Sequence, residues 1–167
     1  MKRIRLWLLM GIGWWAVTAS GATTLESFSA NYVGASGLLM LPQGGARVSH
    51  LGGASLRYGR YLTTTWAFEG EIASLENRAG LAVRTIWHLQ GWETFGRLFG
   101  YERLDPFLSA GVSGFLPAGD VGPSVGLGTF YYLSEVWAVR ALGAYTLGLD
   151  GNPESYFQLS LGVQFSF

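Results

Sequence analysis

The chain contains no cysteine. A disulfide framework, a thiolate nucleophile and a thiolate metal site are therefore excluded. Histidine is almost as scarce: His50 and His88 are the only two, and neither has ligand spacing around it. No metal site and no cofactor are expected on that pattern. Charged residues make up only 13% of the 167. Lysine occurs once, at Lys2. Beyond the first turns of the chain no apolar run is long and unbroken, so no transmembrane helix is expected there. No internal repeat, linker or low-complexity segment stands out, and one domain is expected at this length.

What is present begins with a basic start, Lys2, Arg3 and Arg5. Leu6 to Val17 is apolar and broken only by glycines, and Thr18 to Ala22 is small. Ser20-Gly21-Ala22 fits a small-x-small cleavage site. Residues 1–22 thus read as a secretory signal peptide, leaving 23–167 as the mature domain. The apolar core is shorter than the roughly 20 residues a spanning helix needs, which disfavours an uncleaved anchor. Without Lys2, Arg3 and Arg5 the chain holds eight arginines against eleven acids, a net charge of −3. Phosphate binding needs a basic excess, so no nucleic-acid partner is expected.

The far end alternates without error. Phe157, Leu159, Leu161, Val163, Phe165 and Phe167 fall on one face of a strand; Tyr156, Gln158, Ser160, Gly162, Gln164 and Ser166 fall on the other. A Phe-x-Phe edge exposed to water invites aggregation, but it suits a strand that closes a barrel in lipid. The run Ser160-x-Gly162-x-x-Phe165-x-Phe167 resembles the C-terminal assembly signal of bacterial outer-membrane barrels.

Eight strand candidates are separated by turn-forming clusters such as Pro42-Gln43-Gly44-Gly45, Leu62-Thr63-Thr64 and Ser134-Glu135. They run over about 30–41, 48–61, 66–75, 79–89, 105–115, 121–133, 136–147 and 155–167. Strands near ten residues joined by hairpins predict an all-β fold, an eight-stranded antiparallel up-and-down transmembrane β-barrel. Trp66, Phe68 and Ile72 oppose Glu69 and Glu71. Leu81, Val83, Thr85, Trp87 and Leu89 oppose Arg84 and His88. Trp137, Val139 and Tyr145 oppose Arg140; Ala54, Leu56 and Tyr58 oppose Ser55 and Arg57. The charged face is too sparse for a solvated surface, so a lipid-facing exterior with a polar interior is expected. Trp66, Trp87, Trp137, Tyr58, Tyr131 and Tyr145 are candidates for aromatic girdles at the two interfaces.

Tyr32-Val33-Gly34-Ala35-Ser36, Tyr58-Gly59-Arg60-Tyr61-Leu62, Leu104 to Val112 and Leu161 to Phe167 together resemble the OmpA-like small outer-membrane β-barrel family, also described as porin-family barrels. The resemblance spans nearly the whole mature chain. It implies the outer membrane as location, lipid and lipopolysaccharide as surroundings, and a barrel-assembly machinery and periplasmic chaperones as partners during biogenesis. A monomer is expected.

Inward phases assign Arg57, Glu69, Glu71, Arg84, His88 and Arg140 to the lumen. A barrel of eight strands is filled by side chains, and buried charges must be paired. The expected role is therefore a structural Arg–Glu network that plugs the bore; a narrow pore and a soluble ligand-binding barrel are the alternatives. A lipid A-modifying acyl hydrolase is a further one. The similar deacylase family carries a His-x-Ser-Asn pair late in the chain. Asn152-Pro153 stands in the place of its Asn-Pro, but Ala144 to Leu149 has neither the histidine nor the serine. No enzyme is expected, although His88 with Ser74 or Ser109 stays open. Residues 90–104 depart from the family pattern. Trp92, Phe95 and Phe99 recur at helical spacing there, which fits a small interfacial helix or two strand extensions.

Overall fold

Alternation of apolar and small or polar residues is the strand signature, and eight segments carry it far enough to pair. In the computed structural model these are β1 (Asn31–Gln43), β2 (Leu51–Tyr61), β3 (Trp66–Leu75), β4 (Arg78–His88), β5 (Leu104–Leu116), β6 (Asp120–Tyr132), β7 (Trp137–Thr146) and β8 (Ser155–Ser166). The structure describes residues 31–43, 51–76, 78–89, 103–116, 120–148 and 155–167. The signal peptide at 1–22, His50, the 90–102 connection and Asn152-Pro153 lie outside these.

Each strand pairs antiparallel with the next, and β1 pairs with β8, so the sheet closes as an up-and-down barrel without a free edge. Val163 on β8 faces Ala35 on β1, and Ala35 faces Leu56 on β2, so β8 is the closing strand. No helix occurs among the described residues.

Two of the hairpin links are built alike. In 62–65 the Leu62 amide donates to the Trp66 carbonyl at 2.8 Å, and Thr63 Oγ1 accepts from the amides of Thr65 and Trp66 at 3.2 and 3.0 Å. In 133–136 the Leu133 amide donates to the Trp137 carbonyl at 2.9 Å, and Ser134 Oγ accepts from the amides of Val136 and Trp137 at 3.4 and 3.1 Å. A short hydroxyl side chain here satisfies backbone donors that the ladder leaves open. The two sequences, Tyr61-Leu62-Thr63-Thr64-Thr65-Trp66-Ala67 and Tyr132-Leu133-Ser134-Glu135-Val136-Trp137-Ala138, share the frame Tyr-Leu-Thr/Ser-x-x-Trp-Ala. The chain therefore does hold a short internal repeat, four strands apart. Its low identity outside five positions hides it from inspection of the sequence.

The outer face is apolar. Leu161 is 63% exposed and Val125 61%, and Leu56, Ile72, Leu81, Val83 and Leu127 are also exposed. The inner face differs from the polar interior expected above. Toward the end that carries the two hairpin links, Tyr32, Tyr61, Ile86, Phe107 and Phe130 form an apolar layer; at the opposite end Leu38, Met40, Leu51, Leu75, Phe115 and Tyr156 form another. The polar band lies between them. Burying these side chains stabilises the barrel as any core does. The aromatic girdles also differ from expectation. Tyr58 and Tyr131 lie near the ends of β2 and β6, Trp87 near the end of β4, and Trp66 and Trp137 at the starts of β3 and β7. In an up-and-down barrel all five gather at the hairpin-link end, and only Tyr145 lies at the other.

Candidate functional site: the barrel lumen

An eight-stranded barrel has little room for arginine or an aromatic ring inside. Glycine at the paired position on the neighbouring strand makes the room. A Cβ on Gly59 would stand 2.0 Å from the Tyr32 ring, and one on Gly128 would stand 2.3 Å from the Phe107 ring. A Cβ on Gly34 would stand 2.6 Å from Arg57 Nε. The close approach, not backbone freedom, selects glycine at these inward positions.

All six lumen candidates are buried. Four of them meet. Arg140 Nη1 donates to Glu69 Oε2 at 2.5 Å, and both residues are 1% exposed. Tyr32 OH donates to the same oxygen at 3.0 Å. Arg84 Nη1 donates to Glu71 Oε2 and lies 3.7 Å from Glu69 Oε1. Its Nη2 donates to Gln158 Oε1 at 3.2 Å. Arg140 also stacks its guanidinium over Phe107 and Phe130, 5.0 and 5.4 Å from the ring centroids. Charge-assisted bonds of this kind are the strong ones, and the cation–π contacts add to them.

The other two candidates do not join the Arg–Glu pairs. Arg57 donates to Ser36 Oγ and, at 3.3 Å, to the Val163 carbonyl. His88 sits in the apolar layer. Its Nδ1 lies 2.6 Å from Asp105 Oδ2, and its ring stacks on Phe130 at 5.6 Å. Tyr132 OH donates to the same Asp105 oxygen at 3.2 Å. Asp105, Tyr32, Tyr132 and Gln158 were missed as site residues. Gln158 was legible on the polar face of the last strand; Asp105 was obscured because it stands second in its strand, beside a proline.

Above the ion pairs, Ser113 Oγ lies 2.7 Å from Thr146 Oγ1 and 3.0 Å from Tyr156 OH. A cavity of about 10 Å3 lies between this hydroxyl cluster and Glu71, Arg84 and Gln158. That is room for about one water molecule. The assembly-signal residues lie on β8: Ser160 points inward and is buried, while Phe165 and Phe167 stack outside at 6.2 Å. Gly162 faces Ser36 across the β1–β8 seam.

No family model and no curated protein matches the chain. Solved structures do. The chain is similar to the N-terminal β-barrel domain of Pseudomonas aeruginosa OprF, with 19% identity, 83% of this chain and 98% of that one covered, and a TM-score of 0.55. It is similar to the outer membrane protein OprG of Pseudomonas aeruginosa, with 11% identity, 84% and 97% covered and a TM-score of 0.57. It is also similar to the outer membrane enzyme PagL, with 12% identity, 80% and 99% covered and a TM-score of 0.50. The fold is that of small eight-stranded outer-membrane β-barrels. Identities this low carry the fold and no activity.

Proposed function

We propose that this protein is a monomeric, OmpA-like integral barrel of a bacterial outer membrane, exported by its signal peptide, with a structural role in the envelope. The exposed apolar belt carries this reading. Leu56, Ile72, Leu81, Val83, Val125 and Leu161 are exposed on the outer faces of β2, β3, β4, β6 and β8, surface that water would penalise and acyl chains would not. The lumen supports a plugged rather than a conducting barrel. The Glu69–Arg140 and Glu71–Arg84 pairs fill its middle, and an apolar layer caps each end. Lipid and lipopolysaccharide are its surroundings, and the Phe165-x-Phe167 end serves barrel assembly.

The competing reading is acyl-ester hydrolysis, the alternative that the resemblance to the deacylase family raises. A serine nucleophile needs a base within hydrogen-bond reach. Among the described residues no hydroxyl reaches His88 Nε2, and Ser113 is bonded to Thr146 and Tyr156 instead. That favours the structural role. Expression in a bacterium with an outer membrane, followed by fractionation and a lipid A profile, tests both. Heat-modifiable protein in the outer-membrane fraction with lipid A unchanged is the expected result. Protein in the soluble fraction would overturn the membrane reading, and loss of an acyl chain from lipid A would replace the structural role by an enzymatic one.

A further inference from the structure

We propose that the bore holds a binding site for one water molecule, which joins the charged band to the hydroxyl cluster of Ser113, Thr146 and Tyr156. The inference deepens the plugged-lumen reading above and rests on it. Register sets up the site. Glu71 pairs with Ala82, and Ala82 pairs with Ser113, so the carboxylate and the hydroxyl stand two strands apart with only a methyl between them. Two strand spacings separate their backbones by roughly 10 Å. A serine side chain is too short to help close that distance, and Ser113 Oγ bonds Thr146 and Tyr156 instead. Gly80 and Ala82, both small and inward, leave the cavity of about 10 Å3 that they line.

Two polar atoms of the lining residues find no hydrogen-bond partner in the protein: Glu71 Oε1 and Arg84 Nε. Glu71 is 6% and Arg84 2% exposed, so bulk water does not serve them. A buried carboxylate oxygen without a donor is costly. One water answers both atoms. It donates one hydrogen to Glu71 Oε1, accepts from Arg84 Nε, and keeps its second hydrogen for an oxygen of the hydroxyl cluster. Three partners are the usual complement of a buried water, and the volume suits one molecule. The lining also selects the ligand. A cation would face the Arg84 guanidinium and an anion the Glu71 carboxylate, whereas a neutral dipole fits between them. The other buried carboxylate, Glu69, takes its bonds from Arg140 and Tyr32 and does not line this cavity.

Solid-state NMR of the protein in lipid bilayers tests this. Polarisation is transferred from water protons to the carboxylate carbons, which carry no exchangeable hydrogen when ionised, and Glu69 serves as the internal control. Each Cδ signal is assigned by its loss in Glu71→Gln or Glu69→Gln. The Glu71 signal should build up at least about twofold faster than that of Glu69. Ala82→Leu fills the gap and should remove the difference; an undiminished difference in the folded variant would place the water elsewhere and overturn the site. If that variant does not fold, the comparison within the unaltered protein decides alone. Equally slow build-up at both carbons would overturn the water site and leave the plug intact. Equally fast build-up at both would show a hydrated bore and overturn the site and the plug together.

Discussion

Arg84 shows what a single buried charge does here. It is shared between Glu71 and Gln158, with Glu69 close by. Arg84→Ala leaves Glu71 buried without its cation, and should cost about 3–5 kcal/mol in a dry lumen. Adding Glu71→Gln should recover part of that loss, because the stranded charge goes as well. Urea unfolding in lipid vesicles, run as a double-mutant cycle, reads the coupling; strictly additive losses would refute the pairing. Glycines at the same scale differ by what faces them. Gly59→Ala drives a methyl into the Tyr32 ring and should destabilise by about 1–3 kcal/mol. Gly70→Ala, with nothing within 4 Å of the new Cβ, should stay within about 0.5 kcal/mol of wild type. Equal effects at the two sites would mean that room for Tyr32 is not what selects glycine. Glu76 is the one non-glycine with positive φ among the described residues, at 44°. Glu76→Gly should stabilise the β3–β4 link by relieving a conformation that costs an L-residue about 1 kcal/mol.

At the level of the element, β4 exposes the logic of two solvents. Arg84 and Val83 are neighbours in sequence, one buried in the lumen and the other outside. Val83→Arg should cost about 2–4 kcal/mol when the barrel is in a bilayer, because the charge enters hydrocarbon near the middle of the strand. Unlike Arg84→Ala, it should not respond to removal of Glu71. Unfolding in a short-chain micelle should shrink the Val83→Arg penalty and leave the Arg84→Ala penalty; the opposite order would reverse the assignment of faces. The strand boundaries were legible in the sequence to within three residues, and so were the inward phases of Arg57, Glu69, Glu71, Arg84, His88 and Arg140. Alternation is a local property with a period of two, so neighbours alone reveal it. The aromatic rim needed strand direction as well. Trp66 and Trp137 open odd-numbered strands while Tyr58, Trp87 and Tyr131 close even-numbered ones, which in an up-and-down barrel is a single end.

The whole barrel is a closed sheet with three interior layers: an apolar layer, a charged band, and a second apolar layer. Ions crossing it would have to displace both apolar layers and break the Glu69–Arg140 pair. Purified wild-type protein in planar bilayers should therefore show no steady conductance steps at moderate voltage. A stable open level in most insertions would refute the plug and restore the narrow pore. The closing strand matters at the same scale. Phe167→Ser should lower the yield of heat-modifiable protein in the outer membrane, and unchanged yield would remove Phe165-x-Phe167 from the assembly role.

Alternation along the chain already set the eight strands and the inward position of the charges, since both depend only on residues next to one another in the chain. Closure and register decided the rest. Glu69 meets Arg140 across 71 residues, and His88 turns away from the other charges to Asp105. Arg57 finds Ser36 and the Val163 carbonyl on the seam strands, over Gly34. Which inward side chains share a height in the bore depends on how far each strand is staggered against its neighbours, and that stagger exists only once β8 has paired with β1.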